Sequence, residues 1–195
     1  MASNKTKYLM RIAVLSAIAF ILMYIDFPIP MLFPAFLKFD VSDIPAILGA
    51  FSMGPAAGAL IEVIKNILHF IVKGSETGGV GQLANLLTGC AWIIPIGFIY
   101  KKNKTKKNAV IGLVVGAISM IIAAGFINFY INLPFYESMM PMEAIVGMGS
   151  VVNPAIKDYI TLILYGITPF NIVKTLLISI LTMAMYKKVS PILHK

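Results

Sequence analysis

Residues 42–72 read SDIPAILGAFSMGPAAGALIEVIKNILHFIV, and the way this stretch divides decides the fold. Taken as one helix, residues 44–72 would run roughly 43 Å at about 1.5 Å per residue, too long for an untilted crossing of a hydrocarbon core of about 30 Å. Gly54-Pro55 interrupts it. Glycine suits the position just past a helix end, and proline suits the first turn of the next helix. The stretch therefore reads as a short helix over 42–53, a turn at Gly54, and a second helix over 55–72.

The rest of the chain places these helices in a membrane. Its 195 residues are 59% hydrophobic and only 12% charged. A soluble domain carries about 25% charged residues. A compact domain of this size still exposes about 30% of its unfolded surface, so it cannot hide that much apolar area from water. A water-soluble enzyme, a nucleic-acid module and a disordered chain are excluded as leading readings. Four further apolar runs read as spans over 9–26, 81–100, 109–131 and 169–186. Lys5, Lys7 and Arg11 precede the first of them, and no small-x-small cleavage site follows it, so it reads as a span rather than a removed leader.

Charge supports the split at Gly54. The net charge is +8, and 11 of the 16 basic residues fall in three groups. These are Lys5, Lys7 and Arg11; Lys101, Lys102, Lys104, Lys106 and Lys107; and Lys187, Lys188 and Lys195. With two helices in 42–72, all three groups face the cytoplasm, as the positive-inside rule requires, where they meet anionic lipid. With one fused helix the middle group would face outward. The same parity keeps 144–168 from crossing, and its Asn153-Pro154 and Lys157-Asp158 suit an outer loop with a partly embedded helix. The expectation is an all-α integral membrane protein of one domain, with six transmembrane helices, both termini cytoplasmic and a structured first outer loop.

Residues 27–41, 73–80 and 132–168 then form the outer face. Seven of the eight acidic residues lie on or beside it, namely Asp26, Asp40, Asp43, Glu76, Glu137, Glu143 and Asp158. The first loop holds Pro28, Pro30 and Pro34 among Phe27, Phe33, Phe36 and Phe39, a rigid aromatic segment suited to be a lid. Irregular backbone at membrane depth persists only where protein or a wet cavity covers it.

Two sets of polar residues lie inside spans. Glu62, Lys65, Asn66 and His69 occupy i, i+3, i+4 and i+7, one face of a helix. They read either as a satisfied structural network or as a polar seam, the latter including an intramembrane enzyme using Glu62, Lys65 and His69 as acid or base. The second set is Asn85, the pair Asn128 and Asn132, and the pair Asn171 and Lys174. Five polar side chains from three helices converge at one depth beneath the aromatic loop. An asparagine amide offers a donor beside an acceptor, which matches an imide or amide edge, as in a flavin or a pterin ring. The alternative is that these residues bridge helices by hydrogen bonds.

Small residues four apart allow close backbone approach. Gly54 with Gly58 and Gly112 with Gly116 read as internal packing, while Ala13 and Ala17 can serve a partner helix. There is no phosphate-binding G-x-x-x-x-G-K-[ST] loop, no H-E-x-x-H zinc motif and no G-x-S-x-G nucleophile elbow. The single cysteine, Cys90, excludes an intramolecular disulfide.

Four stretches carry a family resemblance: LKFDVSDIPAILGAFSMGP (37–55), IEVIKNILHF (61–70), TGGVGQLAN (77–85) and TPFNIVK (168–174). In this order they resemble the riboflavin-specific S components of energy-coupling factor (ECF) vitamin transporters. The resemblance implies a non-enzymatic membrane protein that captures riboflavin from outside as transported substrate, with no cofactor of its own. It implies that Leu37, Lys38, Phe39 and Asp40 of the loop, with Asn85, Asn128, Asn132, Asn171 and Lys174, bind the vitamin. It also implies assembly with a transmembrane coupling protein (EcfT) and two cytoplasmic ATPase subunits, through an alanine motif at Ala13 and Ala17. The alternative within transport is an S component for another planar vitamin of the folate or thiamine type. The implied location is a bacterial cell membrane, crossed several times.

Overall fold

The computed structural model describes residues 4–75 and 77–193. Glu76 and Lys195, both used in the charge argument, lie outside the described residues. The chain forms α1 (Asn4–Tyr24), a two-stranded hairpin of β1 (Phe27–Pro28) and β2 (Lys38–Phe39), α2 (Asp43–Met53), α3 (Pro55–Lys73), α4 (Val80–Lys102) and α5 (Lys106–Ile127). A π-helical turn at Asn128–Asn132 carries α5 into α6 (Leu133–Glu137), and α7 (Met142–Ser150) follows. The last rod is α8 (Tyr159–Leu162), a second π-helical turn at Ile163–Ile167, and α9 (Thr168–Leu193).

The division at Gly54 is where the sequence puts it. Gly54 adopts φ 98°, a left-handed conformation that a residue with a Cβ rarely takes, and its N–H bonds Ala50 O at 3.0 Å to end α2. Pro55 opens α3, where its missing N–H costs no helical bond. At 11 residues, α2 is only about 16 Å long at 1.5 Å per residue. Among the described residues, five helices are long and apolar enough to cross a membrane. The short helix α2, apolar over its length, is not among them.

Two further boundaries differ from the sequence reading. The fifth span does not stop at 131, because the π turn continues it without a break from Lys106 to Glu137. The last helix begins at Tyr159 rather than 169. Its start is built by Asp158, whose side chain accepts the Thr161 N–H while Thr161 Oγ1 accepts the Asp158 N–H, a reciprocal capping box. Pro169 therefore lies inside a rod. The π turn just before it supplies the looser hydrogen bonding that a proline needs within a helix.

The helices alternate in direction, so the bundle has two distinct ends. At one end Tyr100 and Tyr186 share a hydrogen bond of 2.5 Å, and the Phe51 ring lies 4.6 Å and 5.7 Å from theirs, joining the C-terminal ends of α2, α4 and α9. The Lys101–Lys107 turn is at this end. At the other, Lys73 pairs with Asp26 and donates to Tyr24 O, joining the ends of α3 and α1. The hairpin, with Phe27 opposite Phe39, and α7 lie at this second end. The core is centred on α4, where Trp92, Ile93, Ile96 and Tyr100 are buried against Ile47, Ile61 and Leu113. Of the glycines read as packing sites, Gly58, Gly112 and Gly116 lie at close approaches, whereas a Cβ on Gly54 would meet nothing within 4 Å, so Gly54 serves the turn and not packing. A Cβ on Gly58 would stand 2.8 Å from Ala50 Cβ, and one on Gly116 2.6 Å from Trp92 O. On α1, Ile12, Ser16, Ala19 and Met23 face inward while Ala13 and Ala17 are exposed beside Val14 and Ile18.

Candidate functional site

The end of the bundle that carries the hairpin holds a cavity of about 480 Å³. Its wall contains Leu37, Lys38 and Asp40 from the first loop, Asn85 from α4, Asn128 and Asn132 from the first π turn, and Asn171 and Lys174 from α9. Every residue that the resemblance assigns to the vitamin, except Phe39, is therefore on one surface. Phe39 turns inward as the buried side of β2 and packs on Phe27 at 5.8 Å, fixing the hairpin rather than facing the cavity. The loop continues as a roof. Phe33 packs edge-on against Phe170 at 5.3 Å, and Phe36 lies 6.4 Å from Tyr136.

The asparagines form a directed array. Asn128 Nδ2 donates to Ala124 O at 2.8 Å, and Asn128 Oδ1 accepts from Asn132 Nδ2 at 3.0 Å. This leaves Asn132 Oδ1 buried without a partner, and Asn85 Oδ1 is in the same state. Asn171 Nδ2 is held by Ile167 O at 2.9 Å. A buried carbonyl oxygen without a donor is costly, by about 1–3 kcal/mol. Orphaned acceptors on a cavity wall thus ask for a molecule that brings N–H or O–H groups. Asn128 and Asn132 stand four residues apart in the π turn, on one face, and border the same space.

Below the asparagines lies a cluster of buried charge. Lys174 Nζ is 3.2 Å from Asp40 Oδ2 and 3.2 Å from Asp43 Oδ2. Lys65 pairs with Asp43 Oδ1, donates to Ser42 Oγ at 2.9 Å, and lies 2.7 Å from Glu62 Oε1. Asp40 Oδ1 accepts the Ser42 N–H at 2.8 Å, fixing the bend into α2. All five ionic side chains are buried. Glu62 and Lys65 do not line the cavity, so they do not form an acid–base pair with His69, which does and which lies 3.4 Å from Gln82. Among the described residues there is no group of three potential metal ligands.

Several wall residues were not anticipated. Met120 and Ala124 sit eight and four residues before Asn128 on the same helical face, so spacing alone would have found them. Tyr136, Met140, Ile145 and Met148 come from the segment over 133–148, whose local pattern carries no such signal. The sequence reading places Asp43 on or beside the outer face, and the structure buries it. The signal for its burial was the need of two in-span lysines for carboxylate partners.

Known proteins share this fold. Residues 7–186 match the family model of the ECF transporter substrate-specific component. The chain belongs to this family. Such a component is a substrate-binding membrane transport subunit rather than an enzyme. The chain is 37% identical over 188 residues to the riboflavin transporter FmnP of Bacillus subtilis, covering 96% of this chain and 94% of that protein. It is 34% identical to the riboflavin transporter RibU of Staphylococcus aureus, covering 98% and 95%. A solved S component of a bacterial ECF transporter superposes with a TM-score of 0.77 at 33% identity, covering 98% of this chain and all of that one.

Proposed function

We propose that this S component captures riboflavin at the membrane surface and delivers it to an ATP-driven ECF transporter. The observation that carries the reading is one cavity in which orphaned asparagine carbonyls stand near a buried ammonium, in a chain closely related to proteins named riboflavin transporters. A volume of about 480 Å³ falls within the range of about 300–1,000 Å³ typical of small-molecule sites. The imide edge of a flavin carries an N–H between two carbonyls. It gives a donor to an asparagine oxygen and an acceptor to Lys174. Phe36, Phe170 and the methionines supply apolar and polarizable surface for the fused ring. Within this reading Leu37, Lys38, Asp40, Asn85, Asn128, Asn132, Asn171 and Lys174 contact the vitamin, and Phe39 supports them from behind.

The cationic Lys101–Lys107 turn lies at the bundle end opposite the cavity, so the positive-inside rule puts the cavity outside and both termini inside. The chain then crosses a bacterial cell membrane six times, with α2 and the extended residues before it as the sixth crossing. Energy comes from elsewhere, because the chain carries no phosphate-binding loop. The partners are a transmembrane coupling protein and two cytoplasmic ATPases, and the exposed Ala13–Ala17 face of α1 is the surface for the first of them.

The test is titration of the detergent-purified chain with riboflavin while flavin fluorescence is followed. One-to-one quenching, or a yellow preparation, is expected. A folded, colourless chain that leaves the fluorescence unchanged would overturn the assignment, and preference for a pterin or thiazolium compound would move it to another vitamin.

A further inference from the structure

Asp43 lies at the first turn of α2, is 2% exposed and has no place on the cavity wall. Yet among the described residues it is the one carboxylate that touches both Lys65 and Lys174: Oδ1 pairs with Lys65 of α3, and Oδ2 lies 3.2 Å from Lys174 of α9. Lys65 is held from three sides, by Asp43, Ser42 and Glu62, so it cannot follow a moving partner. That fixes Asp43, and Asp43 fixes Lys174. An ammonium has three N–H groups. Asp40 Oδ2 accepts one of those from Lys174, Asp43 Oδ2 stands 3.2 Å from the same nitrogen as an ion pair, and the side chain also borders the cavity. We infer that Asp43 is a positioning residue for ligand recognition: from behind the wall it holds the Lys174 ammonium in place, so that a free N–H meets the bound molecule.

A consequence concerns the chemistry of that molecule. Two carboxylates already offset the charge of Lys174, so it acts there as a directed donor and not as a receptor for anions. The atom it takes is an uncharged acceptor, such as a ring carbonyl oxygen. Long lysine side chains lose much rotamer freedom when held in one place, and a scaffold that settles this cost before the ligand arrives raises affinity.

The inference rests on the riboflavin reading, and the experiment separates the two. Riboflavin affinity is measured by fluorescence quenching for the wild-type chain, Asp43→Asn, Lys174→Met and the double variant, with the unliganded melting temperature of each recorded alongside. Asp43→Asn is expected to weaken binding about tenfold where Lys174 is present, the worth of one misaligned charged hydrogen bond. It should change little further in the Lys174→Met background. A merely structural role for Asp43 would make the two losses multiply, and that result overturns the inference. If Asp43→Asn does not fold, Asp43→Glu keeps a negative charge beside Lys65 while displacing the carboxylate, and the same cycle applies with the same two outcomes. Failure of the wild-type chain to bind riboflavin would instead overturn the functional reading.

Discussion

Lys174 Nζ lies 3.2 Å from Asp40 Oδ2, although 134 residues separate them in sequence. The contact pins the end of the first loop to the last helix, directly over the floor of the cavity. Lys174→Met removes the donor offered to the ligand and leaves Asp40 buried with only the Ser42 N–H. Riboflavin binding is expected to weaken by about 1.5–3 kcal/mol, roughly 10- to 150-fold, in a quenching titration. Unchanged affinity in a folded variant would remove Lys174 from the site.

The two asparagines of the first π turn have unequal roles. Asn132 lies on the cavity wall with its carbonyl unpartnered, whereas Asn128 uses both halves of its amide on Ala124 and Asn132. Asn132→Ala is therefore expected to cost about 1–2 kcal/mol of binding. Asn128→Ala acts by releasing Asn132 and should cost less. Comparing the two dissociation constants checks the order, and a larger loss at Asn128 would reverse the assignment.

Gly89 of α4 faces the Glu62 carboxylate so closely that a Cβ there would stand 2.8 Å from Glu62 Cδ. Glu62 has little room to yield, because Lys65 holds it at 2.7 Å. Gly89→Ala is expected to destabilise the unliganded protein by about 1–3 kcal/mol through overpacking. A thermal melt in detergent reads this directly, and an unchanged midpoint would show that the carboxylate moves freely.

The cap at Asp158 titrates outside the membrane-spanning rods. The Thr161 N–H and hydroxyl stabilise the charged carboxylate and hold its pKa below the usual value. A group whose folded pKa is lowered adds stability above its unfolded pKa of about 3.9, and loses it as pH falls through the lower folded value. Amide exchange at Tyr159–Leu162 should thus stay protected at pH 5 and rise only below about pH 4. Asp158→Ala should expose these amides at every pH, and Asp158→Asn, which still accepts the bond, should not.

Orientation is open to a labelling experiment. With Cys90 replaced by alanine, Lys104→Cys provides a single thiol in the basic turn between α4 and α5. A membrane-impermeant maleimide is expected to modify it in inside-out vesicles and not in intact cells. Labelling of intact cells would invert the topology and place the cavity on the cytoplasmic side.

Much of this protein was legible from local chemistry. Gly54-Pro55 marks the break between α2 and α3 because the conformational needs of both residues are local. Apolar length and lysine placement identify a membrane bundle, since both reflect partition between water and lipid, residue by residue. Asn85, Asn128, Asn132, Asn171 and Lys174 stood out because an uncompensated polar group in a span needs a reason. Tertiary structure decided the rest. Phe39 alternates inward only once its pairing with Phe27 sets the strand register. The continuation of the fifth and last spans through π turns depends on bonds that no propensity scale encodes. Asp43 became the hub of the charge cluster because α3 and α9 bring two lysines to it from positions 22 and 131 residues away. A carboxylate near a helix start reads from sequence as a solvated cap, and only the packing of three helices around it takes away the water.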